Sequence, residues 1–204
     1  LNRCPLLYSF LCALTVFLFS GLPLFAYETS GKGDRFSVIL CETGKAYPST
    51  IRGTTLIDRK WNPGKSLSVL WICSKKYHTL LGVDTKKGVL FFSCDIATGR
   101  NNGQKRKVGD MRTPEGKFSV SQIQDASWWQ PYHDKATGDK IGYGPFFIRL
   151  DAASWKGIGI HGTDRSHVSE IGTNASHGCL RLRNEDLLEV VRYCTAGQTV
   201  IILP

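Results

Sequence analysis

Apolar residues along the chain gather in short runs separated by clusters of Gly, Asp, Asn and Lys. The runs Phe36 to Cys41, Leu67 to Cys73, His78 to Val83 and Val89 to Cys94 are rich in β-branched or aromatic residues, which predicts strands of a mainly antiparallel sheet. Lys86-Lys87-Gly88 reads as a hairpin connection between two of them. Further strands are expected at Phe118 to Ile123, Phe146 to Leu150, Gly157 to Ile160 and Thr199 to Leu203, the first entered through the turn Thr113-Pro114-Glu115-Gly116. One segment has helical spacing. Asn184 is expected to cap a helix over about 185–195, with Glu185 and Asp186 in its first turn, where the dipole favours anions. Leu187, Leu188, Val191 and Cys194 would share its apolar face, and Gly197 would end it. The fold class is therefore mainly β with one well-signalled helix.

Two connections lack any apolar period. Gly99 to Arg112 reads as a mobile loop whose Lys105-Arg106-Lys107 forms a solvated tip. Gln124 to Gly144 carries Trp128, Trp129, Tyr132 and Tyr143, rings that either pin the loop to the core or line a substrate cleft. At the N-terminus, Arg3 precedes an uncharged, Leu- and Phe-rich stretch from Cys4 to Tyr27, the pattern of an export signal cleaved after Ala26. A retained membrane anchor is the rival reading. The chain then divides into 1–26 as signal or anchor, 27–66 as tether and N-terminal extension, and 67–204 as one compact domain.

The formal charge of +9 is spread along the chain rather than gathered into a stripe, which argues against nucleic acid and suits an anionic wall or membrane surface. Beyond the signal lie Cys41, Cys73, Cys94, Cys179 and Cys194, an odd set, so at least one thiol stays outside any intramolecular disulfide. An exported protein meets oxidising conditions in which the other four could pair. No Cys-x-x-Cys spacing is present, which disfavours a structural zinc knuckle.

The densest chemistry lies in Gly159-Ile160-His161-Gly162-Thr163 and Ala175-Ser176-His177-Gly178-Cys179-Leu180-Arg181. Cys179 would sit in a Gly-flanked turn before a short strand, and His161 at a strand end. A thiol with a pKa near ~8.5 needs a neighbouring imidazole to take its proton before it can attack a carbonyl. His177 is too near Cys179 in sequence to face it easily, so His161 is assigned as base, and His177 as fixing the turn or positioning substrate. Backbone N–H groups around Gly178 and Cys179 could face the developing oxyanion. Either residue alone is more often a packed thiol or a satisfied core histidine. Together in this window they point to acyl transfer.

At these residues the chain resembles the YkuD-type L,D-transpeptidases, whose signature is a His-Gly pair, a spacer, and Ser-His-Gly-Cys followed by an apolar residue and Arg or Asn. It carries His161-Gly162, Ser176-His177-Gly178-Cys179, Leu180 and Arg181, together with the turn Thr113-Pro114-Glu115-Gly116-Lys117-Phe118 and the aromatic stretch Tyr143 to Phe147. The resemblance implies a YkuD-like β-sandwich or barrel-like domain with Cys179 as nucleophile, His161 as base and the Gly162 carbonyl holding the imidazole. It implies further that Gly178, His177, Ser176, Arg181 and Tyr143 serve the oxyanion or the substrate, with Arg181, or Arg183 beside it, pairing with a stem-peptide carboxylate. Solvation is the alternative for Arg183.

The implied reaction is release of D-alanine from a tetrapeptide stem and a 3→3 cross-link to the amine of a second stem, without metal or cofactor. The implied setting is the periplasm or cell wall, a role in cell shape, and acylation by carbapenems. Hydrolysis of the same acyl-enzyme, attachment of stems to a lipoprotein lysine, terminal D-amino-acid exchange and a non-catalytic wall-binding role remain alternatives. A wall cysteine endopeptidase is disfavoured because here the histidine precedes the cysteine. A zinc site of His161, His177 and Cys179 is disfavoured because no nearby acid would activate water.

Overall fold

The computed structural model describes residues 62–204 apart from 88 and 136, together with strand backbone at 24–29, 35–42, 45–46 and 55–56. The N-terminal strands form a unit of their own. Leu24–Thr29 pairs antiparallel with Arg35–Glu42, onto which Lys45–Ala46 and Thr55–Leu56 also pair. The strand expected at Phe36 to Cys41 is thus present. The expected signal or anchor lies outside the described residues except where 24–26 enter this sheet. Among the described residues no helix is long and apolar enough to cross a membrane.

The second unit is built on one curled eight-stranded sheet. Its strands are β1 (Val69–Ser74), β2 (Thr79–Asp84), β3 (Val89–Asp95), β4 (Gly116–Asp125), β5 (Phe146–Leu150), β6 (Gly159–His161), β7 (Leu180–Arg181) and β8 (Thr199–Leu203), in the spatial order β7-β6-β5-β4-β8-β1-β2-β3. Pairing is antiparallel except for β6 with β7 and β8 with β1. β1 is apolar without alternation because all but its last residue are buried, as a strand covered on both faces requires.

The helix α1 (Asn184–Tyr193) packs Leu187 and Val190 into the same core as Trp71, Leu80, Ile148, Ile160 and Leu180. Its buried stripe differs from the expected one. Val190 replaces Leu188, which is 46% exposed, and Cys194 caps the helix rather than extending it. Arg183 holds the N-cap position without a side-chain bond, so Asn184 does not cap.

The cysteines and the loop 99–112 each have a physical account. Cys73, Cys94 and Cys194 are buried free thiols, and among the described residues no disulfide forms. Register sets Cys73 against Leu80 and Leu80 against Cys94, so a whole strand separates the two sulfur-bearing residues. Two strand spacings, roughly 9–10 Å, exceed what a disulfide can bridge. The segment 99–112 is laced together by Asp110 rather than loose. Its carboxylate accepts the Arg106, Lys107 and Arg112 N–H groups and the Lys105 ammonium, at 2.7 to 3.1 Å. Burial works against that charge, but these donors outweigh it and hold the carboxyl well below the usual range.

Candidate active site

The site grows from three adjacent strands. Register aligns Phe147 with His161 and Arg149 with Gly159 across β5 and β6, and His161 with Arg181 across β6 and β7. Cys179 immediately precedes β7 and so stands beside Gly159. Side chains alternate along a strand, so one face carries Phe147, Arg149, His161, Cys179 and Arg181, while the other buries Ile148, Ile160 and Leu180 in the core. A side chain at Gly159 would collide with the ring of Phe147 and stand 2.6 Å from the Ile148 carbonyl oxygen. Glycine there lets the Phe147 ring lie across the strand, stacked on His161 with centroids 5.6 Å apart.

The turn into β7 is tied by Ser176, whose hydroxyl accepts the Gly178 N–H at 3.0 Å and donates to the Cys179 carbonyl at 2.6 Å. Gly178 has φ +128°, and a Cβ there would stand 2.8 Å from the Arg112 carbonyl oxygen. Ser176 spends its hydroxyl on the turn, and the Gly178 N–H is consumed by Ser176 instead of facing an oxyanion. Among the described residues the Cys179 N–H has no main-chain partner, which leaves it as the candidate donor. The Cys179 thiol lies 3.4 Å from the Gly157 carbonyl oxygen and accepts the Gly159 N–H. Withdrawal of the sulfur from water pushes its pKa up to about 11, against the pull of that N–H and of the Lys105, Arg149 and Arg181 cations.

His161 is 2% exposed and its Nδ1 lies 2.8 Å from the Gly162 carbonyl oxygen. A carbonyl oxygen only accepts, so Nδ1 carries the proton and Nε2 keeps its lone pair. Burial pushes the imidazole down to about 4, opposed by the Gly162 carbonyl and reinforced by the Arg181 cation. The ring is therefore a neutral base at pH 7. It also binds stability to pH. Between about 6.5 and 4 the unfolded chain takes up a proton that the folded one refuses, so stability falls as pH drops through that window. The loss is about 3 kcal/mol. Urea unfolding of wild type and His161→Gln at pH 7 and pH 4 checks this, and an equal loss in both would refute it. Asp110 and Asp164, whose carboxyls are depressed in the fold, lose their contributions below that window.

The remaining expected residues divide. His177 Nε2 lies 3.0 Å from Asp134 Oδ2, and its ring rests on Tyr132 with centroids 5.1 Å apart, so it ties the cysteine turn to the aromatic loop. Tyr143 packs against Trp129, Phe147 and His161, and its carbonyl accepts the Gly162 N–H at 2.8 Å. Arg181 departs from its expected role: its side chain is 0% exposed, paired with Glu170 on the 3₁₀ helix Arg165–Glu170, and withdrawn from any carboxylate entering from solvent. Arg183 turns outward, 3.7 Å from Asp95. Among the described residues, no three His, Cys, Asp or Glu side chains are placed to hold a metal ion together.

The L,D-transpeptidase catalytic domain family, YkuD, matches residues 68–202, well over half of the chain. The chain belongs to that family. YqjB of Bacillus subtilis strain 168, assigned by name to the L,D-transpeptidases, is 28% identical over 109 residues, covering 52% of this chain and 56% of its own. The chain thus spans about half the length of that curated relative. The Ldtfm–avibactam carbamoyl enzyme overlaps 67% of this chain and 49% of its own, at TM-score 0.50 and 20% identity, a likeness of fold. An L,D-transpeptidase from Mycobacterium smegmatis overlaps 67% of this chain and 59% of its own, at TM-score 0.49 and 22% identity.

In this L,D-transpeptidase domain, Cys179 and His161 border one cavity of about 410 Å³ that Trp129, Tyr132, Tyr143 and Phe147 wall. Trp129, Tyr132 and Tyr143 thus pack through one another onto Phe147 and also face this cavity, whereas Trp128 is 89% exposed. Two cations on this cavity lie outside the residues that the sequence marks for the site. Lys105, read as a solvated tip, is 7% exposed, bound to Asp110 and set over the Trp155 ring at 5.6 Å. Arg149 stands over Phe147 at 5.1 Å, with Nε and Nη2 on Gln124. The acid five positions after Lys105 was the available signal for the first. Only register, aligning Arg149 with Gly159, reveals the second.

Proposed function

We propose that this chain cross-links peptidoglycan stems by L,D-transpeptidation at Cys179. The observation that carries the reading is the placement of Cys179 and His161 on one face of paired parallel strands, around one cavity, with Nδ1 of the imidazole held by the Gly162 carbonyl. Thiol and imidazole are both neutral at rest, so the proton passes from Sγ to Nε2 as sulfur attacks the L-centre carbonyl of the third stem residue. The Cys179 N–H faces the oxyanion. His161 then returns the proton to the amine of the departing D-alanine, leaving a thioester. The amine of a second stem attacks that thioester, gives its proton to the same imidazole and closes a 3→3 cross-link, while sulfur leaves and recovers its proton.

An alkylamine, with a pKa of about 10.4, is mostly protonated at neutral pH; its ammonium form gives one proton to water before attack, and the neutral imidazole takes the second as the bond to carbon forms. Arg149, at the cavity wall, receives a stem carboxylate in place of the buried Arg181. The N-terminal apolar stretch exports the chain or anchors it, and the excess of basic residues favours the anionic wall.

The test is incubation of the purified protein with isolated sacculi, followed by muropeptide analysis against a Cys179→Ala control. Transpeptidation gives new 3→3 dimers that the control lacks. Tripeptides without dimers would instead indicate hydrolysis of the acyl-enzyme, and an unchanged digest together with no mass increase on carbapenem treatment would indicate a binding protein.

A further inference from the structure

The peptide unit joining Gly162 to Thr163 is gripped at both ends. Its carbonyl oxygen receives His161 Nδ1–H at 2.8 Å, and its N–H is donated to Asn184 Oδ1 at 3.0 Å. Asn184 therefore does something other than the helix capping its sequence position suggests. Its side-chain oxygen occupies the space where a Cβ on Gly162 or on Gly144 would stand, so two glycines open the slot into which the amide fits. The Gly162 N–H is bonded to the Tyr143 carbonyl at 2.8 Å, which fixes the strand on the near side of the same peptide.

Among the described residues the buried Thr163 hydroxyl has no hydrogen-bond partner, so the polar hold on this residue runs through its main chain. Asn184 in turn is mounted at the start of α1, a helix anchored by the fully buried Leu187 and Val190.

We infer that Asn184 is a positioning residue which orients the Gly162–Thr163 peptide and, through it, fixes the imidazole of His161 with Nδ1 protonated and Nε2 basic. The relay runs from Asn184 Oδ1 to the Thr163 N–H, along the peptide to the Gly162 oxygen, and from there to Nδ1–H. Hydrogen bonds in series polarise one another, so accepting the Thr163 N–H makes the Gly162 oxygen a stronger acceptor for the imidazole. Without that grip the peptide can rotate, and the ring loses the bond that selects its tautomer. An asparagine thus supports the imidazole through an intervening peptide group. The inference rests on the proposed acyl-transfer chemistry for its kinetic consequence, though not for its geometry.

The test compares Asn184→Leu, which fills the slot without an acceptor, with Asn184→Asp, which keeps an acceptor oxygen, and with Asn184→Ala should the leucine variant not fold. Two readouts are taken: the rate of Cys179 acylation by a carbapenem, and the nitrogen and proton resonances of His161 in the resting protein. A small misplacement of a reacting group costs about a hundredfold, so Asn184→Leu is expected to be acylated tenfold to a hundredfold more slowly. Its Nδ1–H signal should be lost or shifted, while Asn184→Asp recovers both.

Acylation within about threefold of wild type with an unmoved Nδ1–H signal, or equal impairment of the aspartate and leucine variants, would overturn the inference. The imidazole resonances need no turnover. If wild type itself is not acylated, the proposed function fails, while the resonances still decide whether Asn184 sets the tautomer.

Discussion

In His161→Gln protein, acylation of Cys179 at pH 7 is expected to fall by about a thousandfold or more, within the range a positioned general base supplies. The size of the loss follows from the environment of the thiol. With its pKa pushed up to about 11, only about one thiol in ten thousand is ionised at pH 7, so sulfur without a base reacts through a small thiolate fraction. Wild type avoids this route because His161, neutral above about 4, takes the proton during attack. The two proteins should therefore differ in shape as well as height. The wild-type rate falls only as pH drops through the imidazole pKa near 4 and is nearly flat above it. The variant's rate climbs about tenfold per pH unit toward the thiol pKa, so the gap narrows as pH rises. Mass spectrometry of carbapenem-treated protein across pH 4 to 10 reads both limbs. A variant that keeps a flat profile, or loses less than about tenfold, would move the base elsewhere, with His177 the next candidate.

That His161 and Cys179 stand out in the sequence, while the residues around them do not, has a physical cause. The two residues sit in short windows whose Gly, Ser and His content makes poor core material, and that local anomaly is visible in a linear chain. The strands were legible for a related reason. Runs such as Phe146–Leu150 and Thr199–Leu203, closed by Gly, Pro and Asp, carry their own boundaries and appear in the structure with the bounds expected. The loop 99–112 has no apolar period because polar bonds order it, with Asp110 collecting four donors, and periodicity is blind to that. Asp134 and Glu170 owe their places to pairing with charges brought near by the fold. Asp134 meets Arg100 and His177 across a long connection, and nothing near it in sequence foretells either partner. On α1 the spacing showed a helix, but Leu188 and Val190 could each complete a stripe with Leu187, and only packing chose Val190.

Glu170→Gln is expected to destabilise the domain by about 2–3 kcal/mol, more than a partly exposed ion pair ordinarily contributes. The reason lies on the other side of the pair. Arg181 is 0% exposed, and among the described residues its Nε and Nη1 have no hydrogen-bond partner, so the Glu170 carboxylate on Nη2 is its main compensation. Removing the carboxylate leaves a buried guanidinium unpaired, a change costing about 3–5 kcal/mol when a pair is sealed from water. Glu170 keeps 33% of its side chain exposed, so water softens the loss and sets the lower figure.

Arg181→Met should cost less, because a flexible apolar chain fills the space and no charge is stranded, and Glu170→Gln should then add little to it. Urea unfolding of the two single variants and the double variant measures this coupling. Losses that add within about 0.5 kcal/mol would mean that Arg181 is not held as a charge. The same cation bears on the chemistry, since it lowers the thiol pKa and the imidazole pKa together. Arg181→Met should therefore raise both pKa values, leaving the thiol a poorer proton donor and the imidazole a stronger acceptor, even though its guanidinium does not line the cavity.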